Sequence, residues 1–137
     1  MTEETGVGRT VRLAAGITLF SMMLGGSAVS QQLVRVESVV TVRYSSEREA
    51  FRGRVSSSEQ RCVRRRVVLL KKARRDRPDQ ALSRDVTNRR GRYHIGGFRN
   101  PRGRFYTVAK RKEITPPGVV NPTIICTRSR SATIRPS

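Results

Sequence analysis

From Val34 onward the sequence alternates apolar, mostly β-branched residues with polar or basic ones. Turn-forming residues interrupt the alternation about every 8 to 12 positions, the spacing of short strands in an all-β domain. Val34 to Tyr44 (VRVESVVTVRY) sets Val40, Val42 and Tyr44 against Thr41 and Arg43. Ala50 to Val55 (AFRGRV) places Phe51, Gly53 and Val55 on one face and Arg52 and Arg54 on the other. Ser56 to Gln60 reads as a loop leading into Cys62.

Arg64 to Lys72 (RRRVVLLKK) holds four consecutive apolar residues, the pattern of a strand buried on both faces or of a short helix, and its valines favour strand. Ala73 to Val86 is polar, charged and contains Pro78, so a long loop or irregular edge is expected there. Thr87 to Tyr93 reads as a turn running into a strand. Asn88 favours local backbone bonding and Gly91 permits positive φ, while Tyr93 and Ile95 face away from Arg92 and His94. Arg104 to Arg111 and Thr123 to Thr127 are further strands, and Ala132 to Arg135 is expected as a last edge strand. About seven short strands and no convincing helix point to a sandwich.

The first 30 residues follow different rules. Arg9 and Arg12 precede an uncharged apolar run, Leu13 to Gly25, which is short for a bilayer of about 30 Å but suits a signal peptide. Ala28 and Ser30 supply the small-x-small pattern, which places cleavage between Ser30 and Gln31. The expected organisation is therefore a signal helix at 1–30 and one basic domain at 31–137. A buried N-terminal helix and an uncleaved membrane anchor are the competing explanations.

Export gives the two cysteines a meaning. Cys62 and Cys126 are expected to form a disulfide outside the cell. Closing a loop of that length stabilises the fold by about 4 kcal/mol in the chain-entropy account. Two cysteines and the single histidine, His94, lack zinc spacing, and His94 is expected as an exposed strand residue.

These residues in this order resemble the transthyretin-like and carboxypeptidase-regulatory-like β-sandwich domains. The resemblance is carried by Phe51-Arg52-Gly53-Arg54-Val55, Cys62, Arg66-Val67-Val68-Leu69, Thr87-Asn88-x-x-Gly91-x-Tyr93, Gly103-Arg104-Phe105-Tyr106 and Cys126. It spans about Val39 to Ile134, and Asn88 stands where that group usually has aspartate. It implies an immunoglobulin-like sandwich serving as an accessory, structural or binding module without catalytic residues.

The chain carries 29 basic against 10 acidic residues, a formal charge of +19. Such a domain repels itself and attracts polyanions. Arginine accounts for 25 of the 29, which fits either GC-rich codon usage or bidentate anion recognition. The candidate anion-binding residues are Arg64, Arg65, Arg66, Lys71, Lys72, Arg74, Arg75, Arg89, Arg90 and Arg92. A solvated face with incidental anion affinity is the competing account of these clusters.

No nucleotide loop, serine elbow or His-Glu-x-x-His pair is present, so no enzyme activity and no cofactor are expected. Three functions stay open. The first is a secreted structural or binding module of the cell envelope, and the second a secreted cationic protein that binds anionic polymers or membranes. The third is an intracellular nucleic-acid binder. Expected partners are a protein or an acidic cell-surface polymer, with only peripheral membrane contact; export disfavours nucleic acid.

Overall fold

A computed structural model describes Gly26, residues 32–118 and residues 122–136. The expected signal peptide, apart from Gly26, and the Ser30–Gln31 junction lie outside the described residues.

The described chain is all-β. Its strands are β1 (Leu33–Val36), β2 (Ser38–Val40), β3 (Arg43–Ser45), β4 (Ala50–Ser57), β5 (Val67–Lys72) and β6 (Gln80–Val86). They continue as β7 (Arg92–Gly96), β8 (Phe105–Ala109), β9 (Lys112–Ile114), β10 (Thr123–Cys126) and β11 (Ser129–Arg130). One sheet is built on β4, with β2 and β3 along one edge and β7 along the other. A second runs β11-β8-β5-β6, and a third runs β1-β10-β9 with β1 parallel to β10. The first two share one core: Val40, Phe51, Val55, Tyr93 and Ile95 pack with Val68, Leu70, Phe105 and Ala109.

Strands are shorter and more numerous than the alternation suggested. The run Val34 to Tyr44 is three strands, not one. Between β2 and β3, the Thr41 backbone N–H donates to the Arg54 carbonyl at 2.9 Å. The Arg54 N–H, however, donates to the Thr41 hydroxyl at 3.2 Å rather than to its carbonyl. That carbonyl accepts from the Tyr93 phenol instead. Gly53, paired with Tyr93 in register, makes this possible, because a Cβ there would collide with both the Thr41 carbonyl and the Tyr93 oxygen. The Tyr93 oxygen also lies 2.9 Å from the hydroxyl of Thr107 on β8, so it bridges two sheets.

Three further expectations change. Gln80–Val86, within the stretch expected as a long loop or short irregular edge, is a seven-residue edge strand, β6, with a register shift against β5. Only Leu82 packs against the core, so β6 owes its form to pairing with β5 and carries little periodic signal. Ala132 to Arg135 contributes a single bridge from Ile134 to Phe105, and the short β11 does the pairing. Gln60–Cys62, where a loop was expected to lead into Cys62, is a 3₁₀ turn capped by the Glu59 side chain.

Cys62 and Cys126 are joined, their Cα atoms 5.5 Å apart. The bond ties the 3₁₀ turn to β10 and packs with Ile124, Val36 and Ile114 in a second, smaller core.

Candidate anion-binding groove

Beside the disulfide, two turns are held together by one threonine. Thr87 is buried; its hydroxyl donates to the Val63 carbonyl at 2.6 Å and accepts the Arg66 N–H at 2.8 Å. Its carbonyl accepts the Arg65 N–H at 3.0 Å, and its N–H donates to the Arg66 carbonyl at 2.9 Å. This clamp holds Arg65 in the left-handed region, φ 51°, a conformation that costs an arginine energy and recurs at functional sites. The consequence is a split run: Arg64 and Arg65 are exposed while Arg66 turns inward.

Residue 88 extends the same scaffold. The Asn88 side-chain oxygen accepts the backbone N–H groups of Arg90 at 2.9 Å and Arg92 at 3.0 Å. Gly91 closes the turn at φ 76°. Arg89 is thereby presented beside Arg64 and Arg65.

These turns line an open groove of about 800 Å³. Arg61, Arg64, Arg65, Arg89 and Lys112 contribute five cations to its walls, against one carboxylate, Glu113. Glu113 is itself engaged by Arg111 at 3.3 Å. Arg61 pairs with Glu59 at 2.8 Å, which holds that carboxyl below the usual range. Lys112 donates to the carbonyls of Arg61 and Arg64, both at 3.0 Å. Burial, and then the charges of Arg64, Arg66 and Arg65, push its ammonium group below the ordinary lysine value.

Under the groove lies Arg66, 0% exposed. Its guanidinium donates to the carbonyls of Lys110 (2.6 Å), Cys62 (2.9 Å) and Thr127 (2.6 Å) and to the Ser38 hydroxyl (2.9 Å). Every acceptor is neutral. No ion pair involving Arg66 occurs among the described residues. Hydrogen bonding is satisfied but the charge is not, and burial lowers its pKa accordingly.

Sequence clusters are therefore redistributed. Arg64, Arg65 and Arg89 meet in the groove; Arg66 is a core residue rather than part of a solvated basic face. Lys71, Lys72, Arg74 and Arg75 lie at the other end of β5, about 20 Å away at 3.3 Å per residue. There Lys72 sits over the Phe105 ring, and Arg74 donates to Asp79 through its backbone and to Gln80 through its side chain. Arg90 holds its turn to β4 by accepting the Arg54 Nε–H at 3.1 Å, and Arg92 lies on the outer face of β7. Arg61 and Lys112 were not among the sequence candidates. Lys112 arrives from β9, and nothing in linear order couples it to Arg64.

His94 is exposed, as expected, and its backbone N–H donates to Asp85 at 2.8 Å. Among the described residues no group of His, Cys, Asp and Glu side chains could hold a metal ion. Compared with family models, curated proteins and solved structures, the chain matches none of them.

Proposed function

We propose that this chain is an exported, non-catalytic binding module of the extracellular space or cell envelope, and that its groove holds the anionic group of an acidic ligand. Its fold in this proposal is an immunoglobulin-like β-sandwich of the transthyretin-like type. Two sheets sharing a core support that fold, and the disulfide, a bond that persists mainly in oxidising compartments, supports export. The apolar run at Leu13 to Gly25 supports export.

The observation that carries the binding role is the charge imbalance at the groove. Five wall cations face one engaged carboxylate, above a buried guanidinium whose acceptors are all neutral. With Arg61 paired to Glu59 and Glu113 engaged by Arg111, a bound anion offsets repulsion among Arg64, Arg65, Arg89 and Lys112. Nucleic acid is disfavoured because single-strand binding draws on exposed aromatic platforms, whereas Phe51, Tyr93, Phe105 and Tyr106 are buried and Tyr44 and Phe98 pack against the core.

Calorimetric titration of the protein, purified from cells expressing the full chain, with inorganic pyrophosphate tests the groove. Saturable binding that weakens at least about tenfold in Arg64→Gln/Arg89→Gln is expected. Equal affinity in that variant would remove the proposed role. Intact-mass measurement of the secreted protein tests export: the expected product begins at Gln31.

A further inference from the structure

The outer face of the β4 sheet carries a second set of cations in an ordered array. Arg43 on β3 stands opposite Arg52 on β4, and Arg52 stands opposite His94 on β7. One step along, Arg54 on β4 stands opposite Arg92. Their side chains point away from the core, since the intervening Phe51, Val55, Tyr93 and Ile95 are buried. Arg43, Arg52, Arg54 and Arg92 line one shallow depression of about 370 Å³ with no carboxylate in its lining.

Like charges directly opposite one another destabilise a sheet. Three neighbouring strands nonetheless place arginines in matching register. Strand geometry spaces the guanidinium stems by about 4.8 Å across the sheet and about 6.8 Å along it, a regular two-dimensional charge grid. The Asn88–Arg92 turn connects this face to the groove: Arg92 belongs to the face, Arg89 to the groove, and the Arg90 carbonyl is fixed to Arg54.

We propose that the Arg43–Arg52–Arg54–Arg92 face is a second subsite continuing from the groove, and that the ligand spanning both is a linear acidic polysaccharide. This rests on the groove being an anion site. A repeating chain of sulfates or carboxylates matches a repeating grid of cations, and guanidinium groups take such oxyanions in bidentate fashion. Apart from the His94 imidazole, the outward positions of β4 and β7 (Arg52, Arg54 and Arg92) offer no aromatic ring on which a nucleobase stacks, and none carries an apolar side chain that enters a lipid surface.

The experiment compares a sulfated disaccharide, short enough for one subsite, with a sulfated dodecasaccharide, titrated at physiological salt. Two engaged subsites raise the affinity of the longer chain about a hundredfold over the shorter. Arg52→Glu/Arg92→Glu is expected to weaken the dodecasaccharide at least about tenfold and to leave the disaccharide unchanged. Arg64→Gln/Arg89→Gln is expected to weaken both. If the face variant binds the long chain like wild type, the second subsite is refuted while the groove stands. If the groove variant binds both probes like wild type, the groove assignment falls and takes the proposal with it. Tighter binding of a single-stranded oligonucleotide or of anionic phospholipid vesicles, lost in the face variant, would overturn the polysaccharide assignment. Circular dichroism verifies folding of each variant, and Arg52→Gln/Arg92→Gln replaces the glutamate pair if the latter does not fold.

Discussion

Arg66 Nη2 donates to the carbonyl of Thr127 at 2.6 Å, one residue beyond the disulfide partner Cys126. Nη1 of the same guanidinium donates to the carbonyl of Cys62, the other disulfide partner. One buried fork thus holds the backbone on both sides of the covalent link. Replacing Arg66 with Met removes a charge from the core but orphans carbonyls of Cys62, Lys110 and Thr127 and the Ser38 hydroxyl. Each unsatisfied buried group costs about 1–3 kcal/mol, so Arg66→Met is expected to lose at least about 3 kcal/mol in urea unfolding. Arg66→Lys keeps the charge without the fork and is expected to fall between the two. A loss below about 1 kcal/mol in Arg66→Met would show that these bonds contribute little.

Alkaline stability depends on Tyr93. Burial pushes its phenol up to about 12 from 10.0, with the Thr107 hydrogen bond opposing the shift. The folded state therefore favours the neutral phenol. Its stabilising contribution is complete below pH 10, the unfolded value, and is lost as pH rises toward 12. Over that window unfolding free energy should drop by up to about 1.4 kcal/mol per pH unit from this group. Tyr106, also raised by burial and by its bond to Asp79, acts in the same direction. Tyr93→Phe should flatten the loss in urea titrations between pH 10 and 12. An unchanged slope would show that the phenol ionises equally in both states.

Gly53 is the residue over which the Tyr93 phenol reaches Thr41. Gly53→Ala places a methyl against backbone and cannot be relieved by a rotamer change. A loss of about 2 kcal/mol or more is expected, within the range for overpacking a core. Gly97→Ala, where a Cβ meets open space, gives the contrast: only its left-handed backbone, φ 87°, costs it. Thermal unfolding of the two variants should rank Gly53→Ala as clearly the less stable.

The arginine grid has a stability signature separate from binding. Arg52→Glu turns a repulsive cross-strand neighbour, Arg43, into a partner. Cross-strand charge pairs are worth about 0.2–1 kcal/mol, so the free variant is expected to unfold a few degrees higher at low salt. The gain should shrink as salt screens it. A lower midpoint at low salt would mean the face is not under charge strain.

Much of the fold was legible because alternation survives wherever one face is buried. Phe51/Gly53/Val55 and Tyr93/Ile95 lie inward, opposite Arg52/Arg54 and Arg92/His94. Asn88 and Gly91 form the turn their chemistry favours, and the cysteines pair. β6 was legible only as a loop or irregular edge, because an edge strand made by backbone pairing needs little apolar pattern. Arg66 was hidden for a different reason. In the run Arg64-Arg65-Arg66 nothing local marks the third residue as buried, since its inward turn depends on Arg65 adopting positive φ under the Thr87 clamp. The groove mixes a 3₁₀ turn, the segment leading from it into β5, the turn between β6 and β7, and β9, so only folding brings Lys112 to Arg64. The Thr87-Asn88-x-x-Gly91-x-Tyr93 motif was visible in sequence; that its threonine shapes a cationic wall was not.

Amide chemical-shift mapping, with the sulfated disaccharide as titrant at physiological salt, addresses the groove most directly. Saturable shifts concentrated at Arg61, Arg64–Arg65, Thr87–Arg89 and Lys112–Thr115 are the predicted result. Shifts spread evenly over exposed arginines, or centred on Lys71–Arg75, would contradict it.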